Sequence, residues 1–440
     1  MPKNVFRTAV VASVAVLALP LTPASPATAP TAVAAATDSF YAYDGAEPLS
    51  SYAPGDVLKT RTLTYHLTDL SQGRRATQIL YRSTDAQGRP VANVTSVVHS
   101  GSGDGTRVVL LNSAYDSLDP EDGPSRGIAG TGSVFAPEEL LLGQLLDRGY
   151  DVILTDTEGQ DAHFAAGPEY GRLTLDSIRA ATRAPQTGFG SATRFGLMGY
   201  SGGAIATHWA AVLAPGYAPD VNKKLVGFAE GGLLVDPAAN LRYVGGSTSW
   251  AGIIPMALIG ISRSYDVDFT PYLNSYGVET LAKLRKASPL DVLLGQYKGL
   301  TWQKLAKPEY ADPASVPEFV EQVNKLNLGQ APTPTIPGYI VQGDNGPLAG
   351  TFSNIPGIGS GDGVMVSGDV RSLARQYCAR GNTSIAYEQH ELLAHGGTFP
   401  VWKYPALDWI DDRFDGRTPP SSCGRIPAGN SLAPVSPATR

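Results

Sequence analysis

Cysteine is almost missing from this 440-residue chain, with Cys378 and Cys423 the only two. For two isolated thiols pairing is favoured over metal binding, and no group of His, Cys, Asp or Glu shows zinc or calcium ligand spacing. Neither a metal nor another cofactor is therefore expected. Charge is also sparse: 17% of residues are charged, the net charge is -6, and Lys and Arg nowhere gather into a basic stripe. That argues against a nucleic-acid partner, because phosphate binding relies on clustered cations. Long apolar runs are lacking too. The run Ala9 to Leu19 is too short for a permanent bilayer anchor. No internal repeat is visible, and nothing in the pattern indicates an oligomeric state.

What is present fits a well-cored protein. The chain is 42% hydrophobic, and its length accommodates one large α/β domain with an insertion. Lys3 and Arg7 precede the run Ala9 to Leu19, and small-residue sites such as Ala32-Val33-Ala34 follow, which reads as an export signal. Residues 1–36 are assigned to that signal and a pro-like segment, with the exported chain beginning near Thr37. In an oxidising compartment the two cysteines are expected to pair as one disulfide.

Beyond the signal, Ser96 to His99, Val108 to Leu111 and Val152 to Leu154 read as strands, and Glu138 to Arg148 reads as a leucine-rich helix between them. Leu173 to Ala184 is a further amphipathic helix ending before Pro185. Strand, helix, strand in this rhythm implies a mostly parallel sheet with helices on both faces, an α/β fold. The rhythm breaks from about Leu233, where the apolar stretch Ile253 to Ile261 precedes mixed polar and aromatic residues. Residues 233–330 are read as an inserted, mainly helical cap. Residues 37–232 and 331–426 form the two parts of the core, and 427–440 a Pro/Ser-rich tail expected to be poorly ordered. The stretch Trp250 to Ile261 could be an apolar lid surface, but a buried cap helix is the commoner outcome for such a sequence.

Gly199-Tyr200-Ser201-Gly202-Gly203 stands between the apolar run Phe195 to Met198 and the alanine-rich stretch Ala204 to Ala214. Strand, tight turn and helix around GxSxG is the setting of a nucleophile elbow. Small neighbours let the strand and helix approach, so the serine hydroxyl projects at the strand's carboxyl end, and the backbone N–H of Gly202 can stabilise an oxyanion. Such a serine needs a base and an acid, in chain order Ser, Asp or Glu, His. Of six histidines, only His390 and His395 follow the serine outside its own helix. His395 is favoured because Gly396-Gly397 reads as a loop that lets an imidazole project, whereas His390 lies in or beside a strand over Thr383 to Gln389. For the acid, Asp344 directly follows the strand at Tyr339 to Val341, and Asp362 closes a Gly/Pro-rich loop before a helix over Val370 to Cys378. Pattern alone leaves these two open.

The sequence resembles the secreted lipases of the fungal lipase A type, a family also widespread in actinobacteria. The likeness runs through Phe40-Tyr41, Tyr81 to Asp85 with Pro90 to Ala92, and Tyr115-Asp116 with Pro124-Ser125. It continues in Asp156 to Gly159, Asp176 to Ala180 and Gly199 to Ala204. The resemblance implies an α/β-hydrolase fold and an ester hydrolase with Ser201 as nucleophile. It also implies Asp116 as a second oxyanion-hole residue beside Gly202, His395 as base, and Asp362 as acid from its place sixteen residues before Cys378. The expected partner is a hydrophobic ester, an acylglycerol or similar, met at a lipid–water interface. The insertion from Asn345 to Gly361 departs from the family's compact turn and keeps Asp344 in reserve. A peptidase of the same fold would use the same triad on amides, but no acidic pair is placed to bind a chain terminus. A binding protein that had lost its triad would not be expected to keep Ser201, Asp362 and His395.

Overall fold

A computed structural model describes residues 38–67, 70–132, 139–352 and 354–438. The export signal assigned to residues 1–36 lies outside the described residues. Strands β1 (Val57–Leu67), β2 (Leu70–Thr84), β3 (Pro90–Val98), β4 (Arg107–Asn112), β5 (Asp151–Thr155), β6 (Arg194–Tyr200), β7 (Leu225–Gly231), β8 (Gly338–Gly343) and β9 (Ile385–His390) form one sheet. Their order is β1-β2-β3-β5-β4-β6-β7-β8-β9. The first three strands and β5 pair antiparallel in succession, and every pairing from β5 through β4 to β9 is parallel.

Parallel strands covered on both faces bury every side chain, which is why β4, β5 and β6 are near-continuous apolar runs rather than alternating ones. The period of two then sorts each strand's residues between two cores. Val108 and Leu110 join Leu197, Phe228 and Ile340 on one face, and Val109 and Leu111 join Met198, Ala229 and Val341 on the other.

Short α1 (Pro124–Ala129) precedes α2 (Glu139–Asp147), and α3 (Gly167–Arg183) and α4 (Gly202–Tyr217) follow, with one turn of α5 (Pro219–Asn222) after α4. Between β7 and β8 lies a helical insertion of α6 (Pro237–Val244), α7 (Ile253–Tyr265), α8 (Ser275–Lys283), α9 (Leu290–Leu293), α10 (Trp302–Leu305) and α11 (Pro317–Leu326). Helix α12 (Ser367–Ala379) connects β8 to β9, and α13 (His395–Phe414) follows β9. Leu175 and Ile178 of α3, Ala206 and Ala210 of α4, and Val370 and Leu373 of α12 cover the first face. Leu141, Leu142, Leu145 and Leu146 of α2, and Trp402, Ala406 and Ile410 of α13, cover the second. The insertion has an apolar core of its own, in which Tyr243, Ile254, Leu258, Trp302 and Phe319 meet. Ile254, Met256, Leu258, Ile259 and Ile261 of α7 are buried, so this stretch is a packed helix and not an exposed apolar surface.

Two expectations are corrected. His395 is not in a loop: it is the first residue of α13, and Gly396-Gly397 lie in the helix's first turn. The apolar stripe Trp402, Ala406, Trp409 and Ile410 recurs at helical spacing and propagates the helix upstream. Nor does the segment after residue 426 lie loose. Asn430 donates to Ile358 O at 2.8 Å and to Asp369 at 2.7 Å, Leu432 is buried, and Val435 packs on the core of the insertion. Scattered apolar and amide side chains, too few to show a period, are enough to dock an extended strand of chain. A disulfide joins Cys378, at the end of α12, to Cys423 beyond α13.

Candidate active site

Ser201 occupies the turn from β6 into α4 with φ 58° and ψ −121°. Such a conformation is costly for a residue with a side chain and persists only where its surroundings over-determine it. Ser201 N donates to Gly231 O on β7 at 2.9 Å, and Ser201 O accepts the N–H of Ala204 at 2.9 Å to start the helix. Glycine is required on either side. A Cβ on Gly199 would stand 2.1 Å from Gly203 O, and one on Gly203 would stand 2.1 Å from Asn112 O.

The turn aims Ser201 at α13. Ser201 Oγ is 2.8 Å from His395 Nε2, and His395 Nδ1 is 2.7 Å from Asp362 Oδ2. Asp362 is inaccessible to solvent. Its Oδ1 accepts the backbone N–H groups of Val364 (2.9 Å) and Met365 (2.7 Å), and its Oδ2 accepts Gln342 Nε2 at 2.9 Å. The imidazole is fixed from several sides. His395 N donates to Asp362 O at 2.8 Å, and Tyr200 OH donates to His395 O at 2.5 Å. The ring lies 5.2 Å from that of Tyr200 and meets the Trp250 ring edge-on at 5.6 Å. The alternatives are elsewhere: Asp344 accepts from Gln389 Nε2 at 3.1 Å, and His390, at the end of β9, faces Glu388 at 3.3 Å.

Asp116 follows β4 with φ 46°, another strained residue. Its side chain presses on the start of α4, so closely that a Cβ on Gly202 would lie 1.8 Å from Asp116 Oδ1. Beneath this turn is Glu158, which accepts Ser117 N at 3.2 Å and Tyr170 OH at 3.1 Å. Glu158 N in turn donates to Tyr115 OH at 2.8 Å. Burial, with the Asp116 carboxylate adding to it, pushes the Glu158 carboxyl well above the usual carboxylate range. Glu158 therefore serves the Asp116 turn as a buried hydrogen-bond partner. Glu158, Gln342 and Trp250 carry no sequence signal of these roles, because each meets its partners across long stretches of chain.

A cavity of about 100 Å³ adjoins Ser201, Gly202 and Asp116. Its wall is almost wholly apolar, with Ile205 from α4, Ile254 and Leu258 from α7, Phe319 from α11, and Met365 beside Asp362. Among the described residues no cluster of three or more His, Cys, Asp or Glu is arranged to hold a metal ion, and no helix is long and apolar enough to cross a membrane.

The family profile described as secretory lipase matches residues 129–422. The chain is a member of the secretory lipase family. Among its relatives is Lipase 6 of Candida albicans, 30% identical over 87% of this chain and 82% of that one. Another, from Mycobacterium tuberculosis, is named a probable inactive lipase and is 29% identical over 83% of this chain and 79% of its own length. The crystal structure of Candida antarctica lipase A superposes with a TM-score of 0.76 at 24% identity, covering 90% of this chain and 89% of that one. This secretory lipase thus has the α/β-hydrolase fold, a mixed nine-stranded sheet flanked by helices, and is a hydrolase of the lipase and esterase kind.

Proposed function

We propose that this secretory lipase is exported and hydrolyses acylglycerols or similar hydrophobic esters through an acyl-enzyme on Ser201. The observation that carries the reading is the unbroken chain of hydrogen bonds from Ser201 Oγ through His395 to Asp362, opening on an apolar cavity. Ser201 Oγ attacks the ester carbonyl carbon while His395 Nε2 takes its proton. Negative charge grows on the carbonyl oxygen, where the backbone N–H groups of Asp116 and Gly202 receive it. His395 returns the proton to the leaving alkoxide. Water, deprotonated by the same nitrogen, then releases the acid and regenerates the hydroxyl. Asp362 holds the proton on Nδ1, so Nε2 is free to accept.

The cavity wall supports a hydrophobic acyl group, since no charged side chain other than Asp116 lines it. Residues 233–330 act in this reading as a cap whose inner wall is the acyl site. Export is supported by Lys3, Arg7 and the apolar run after them, together with the family's secretory character.

A fluorophosphonate probe tests the chemistry directly. It should label Ser201 in the wild type. Ser201→Ala should lose the label and about 10⁴-fold or more of the turnover of p-nitrophenyl esters. Labelling that persists at another serine would refute the assignment, and turnover of anilides in place of esters would point to a peptidase. A series from acetate through butyrate to palmitate esters and emulsified triglyceride then places the enzyme between esterase and lipase.

A further inference from the structure

Five non-glycine residues among those described have positive φ, and four of them lie around one place: Asp116 (46°), Ala162 (52°), Ala165 (66°) and Ser201 (58°). Asp116, Ala165 and Ser201 line the apolar cavity itself. Strained backbone of this kind needs neighbours that hold it. Ser201 has the sheet and α4. The other three belong to two loops, 115–119 and 161–166, which meet under the last turns of α7.

One side chain ties those loops together. Arg263, on the last turn of α7, donates from Nη1 to Leu118 O (3.0 Å), Asp161 O (3.2 Å) and Ala162 O (3.1 Å), and from Nη2 to Arg285 O (2.5 Å). Leu118 is held on its other side as well, its N–H donating to Ala287 O at 2.9 Å. Leu118 is thus clamped by the insertion at both backbone groups, two residues after Asp116. The same helix lies close against the second loop, where a Cβ on Gly260 would stand 2.1 Å from Phe164 O. Ile254, Ala257, Leu258 and Ile261 of α7 are meanwhile part of the cavity wall.

We propose that Arg263 is a positioning residue for the oxyanion site, fixing the Asp116 backbone N–H relative to Ser201 and to the acyl wall of α7. The proposal rests on the reading of Ser201 as nucleophile and Asp116 as an oxyanion donor. A planar guanidinium with several donors in fixed directions can bridge carbonyls of two loops at once, and a lysine ammonium, a point charge on a flexible stem, cannot reproduce that geometry. Displacing a donor by a fraction of an ångström weakens it where charge develops without much changing how the neutral ester binds.

The experiment uses the full exported chain with active sites counted by fluorophosphonate titration. Arg263→Lys and Arg263→Ala should each lower kcat per titrated site by about 10- to 100-fold on p-nitrophenyl butyrate, with KM little altered. Guanidinium ion at non-denaturing millimolar concentration should restore part of the kcat of Arg263→Ala, while sodium chloride should not. If activity falls only because fewer sites titrate, with kcat per site unchanged, Arg263 merely supports folding and the proposal is overturned. A rise in KM at constant kcat overturns it as well, placing the residue in the acyl wall. Wild-type protein that fails to label at Ser201 refutes the underlying reading, a result separate from labelled wild type with unaffected Arg263 variants.

Discussion

Asp362→Asn isolates what the buried acid does, because the site dictates how the new amide must lie. Asp362 Oδ1 accepts two backbone N–H groups, from Val364 and Met365, and only an oxygen can replace it there. The amide NH2 is therefore forced into the position of Oδ2, facing His395 Nδ1 and Gln342 Nε2. Gln342 can adapt by turning its own amide so that its buried Oε1, unpartnered among the described residues, accepts from the asparagine, at the loss of the bond from Nε2 to Gly343 O, which Ser367 Oγ still satisfies. The imidazole adapts only by moving its proton to Nε2, leaving Nδ1 as the acceptor. Nε2 then donates to Ser201 Oγ and cannot take its proton. The fold should survive, while kcat falls by about 10⁴-fold, equivalent to about 5.4 kcal/mol of transition-state stabilisation. Asp344→Asn is the matched control, because Asp344 bonds to Gln389 and should retain near-normal turnover. The assay is p-nitrophenyl butyrate hydrolysis per folded molecule, with thermal unfolding followed by circular dichroism. Asp362→Asn keeping a tenth or more of wild-type kcat, or Asp344→Asn being the inactive variant, would refute the reasoning.

Reduction of the Cys378–Cys423 bond, or its replacement by two serines, frees a loop closed over a separation of 45 residues. The chain-entropy relation puts the loss at about 4 kcal/mol, read as a lower urea midpoint, and an unchanged midpoint would show that the cross-link constrains nothing. Burial pushes the Asp369 carboxyl up to about 7, with the nearby Asp236 charge adding to it and the Asn430 hydrogen bond opposing it. Between about pH 4 and 7 the native state holds a proton that the unfolded chain has released, so this group's contribution to stability falls as pH rises, by up to about 1.4 kcal/mol per unit. Asp369→Asn should flatten part of that decline in urea titrations from pH 4 to 8, and an unaltered slope would show that Asp369 ionises normally.

Local chemistry made several features legible before any fold was known. The apolar runs of β4, β5 and β6 and the leucine face of α2 report burial on a sheet because burial is a property of each side chain. The GxSxG turn is legible because its demand for small residues is met by immediate neighbours, Gly199, Gly202 and Gly203. Two cysteines leave only one intramolecular pairing, and the structure contains it. Tertiary structure decided what depends on partners far away in the chain. Asp344 and Asp362 both follow β8, and only the folded chain puts Asp362 on His395, through an insertion whose length conceals the approach. His395 begins a helix because α13 packs on the sheet, a contact outweighing two glycines that read as loop. The terminal segment docks through Asn430 and Leu432, whose partners on α12 and around residue 327 are invisible to composition. Glu158 and Arg263 hold Ser117 N and Leu118 O of the Asp116 turn, and nothing within either residue's own stretch of sequence requires it, since a hydrogen bond to a distant backbone leaves no mark on the residues between.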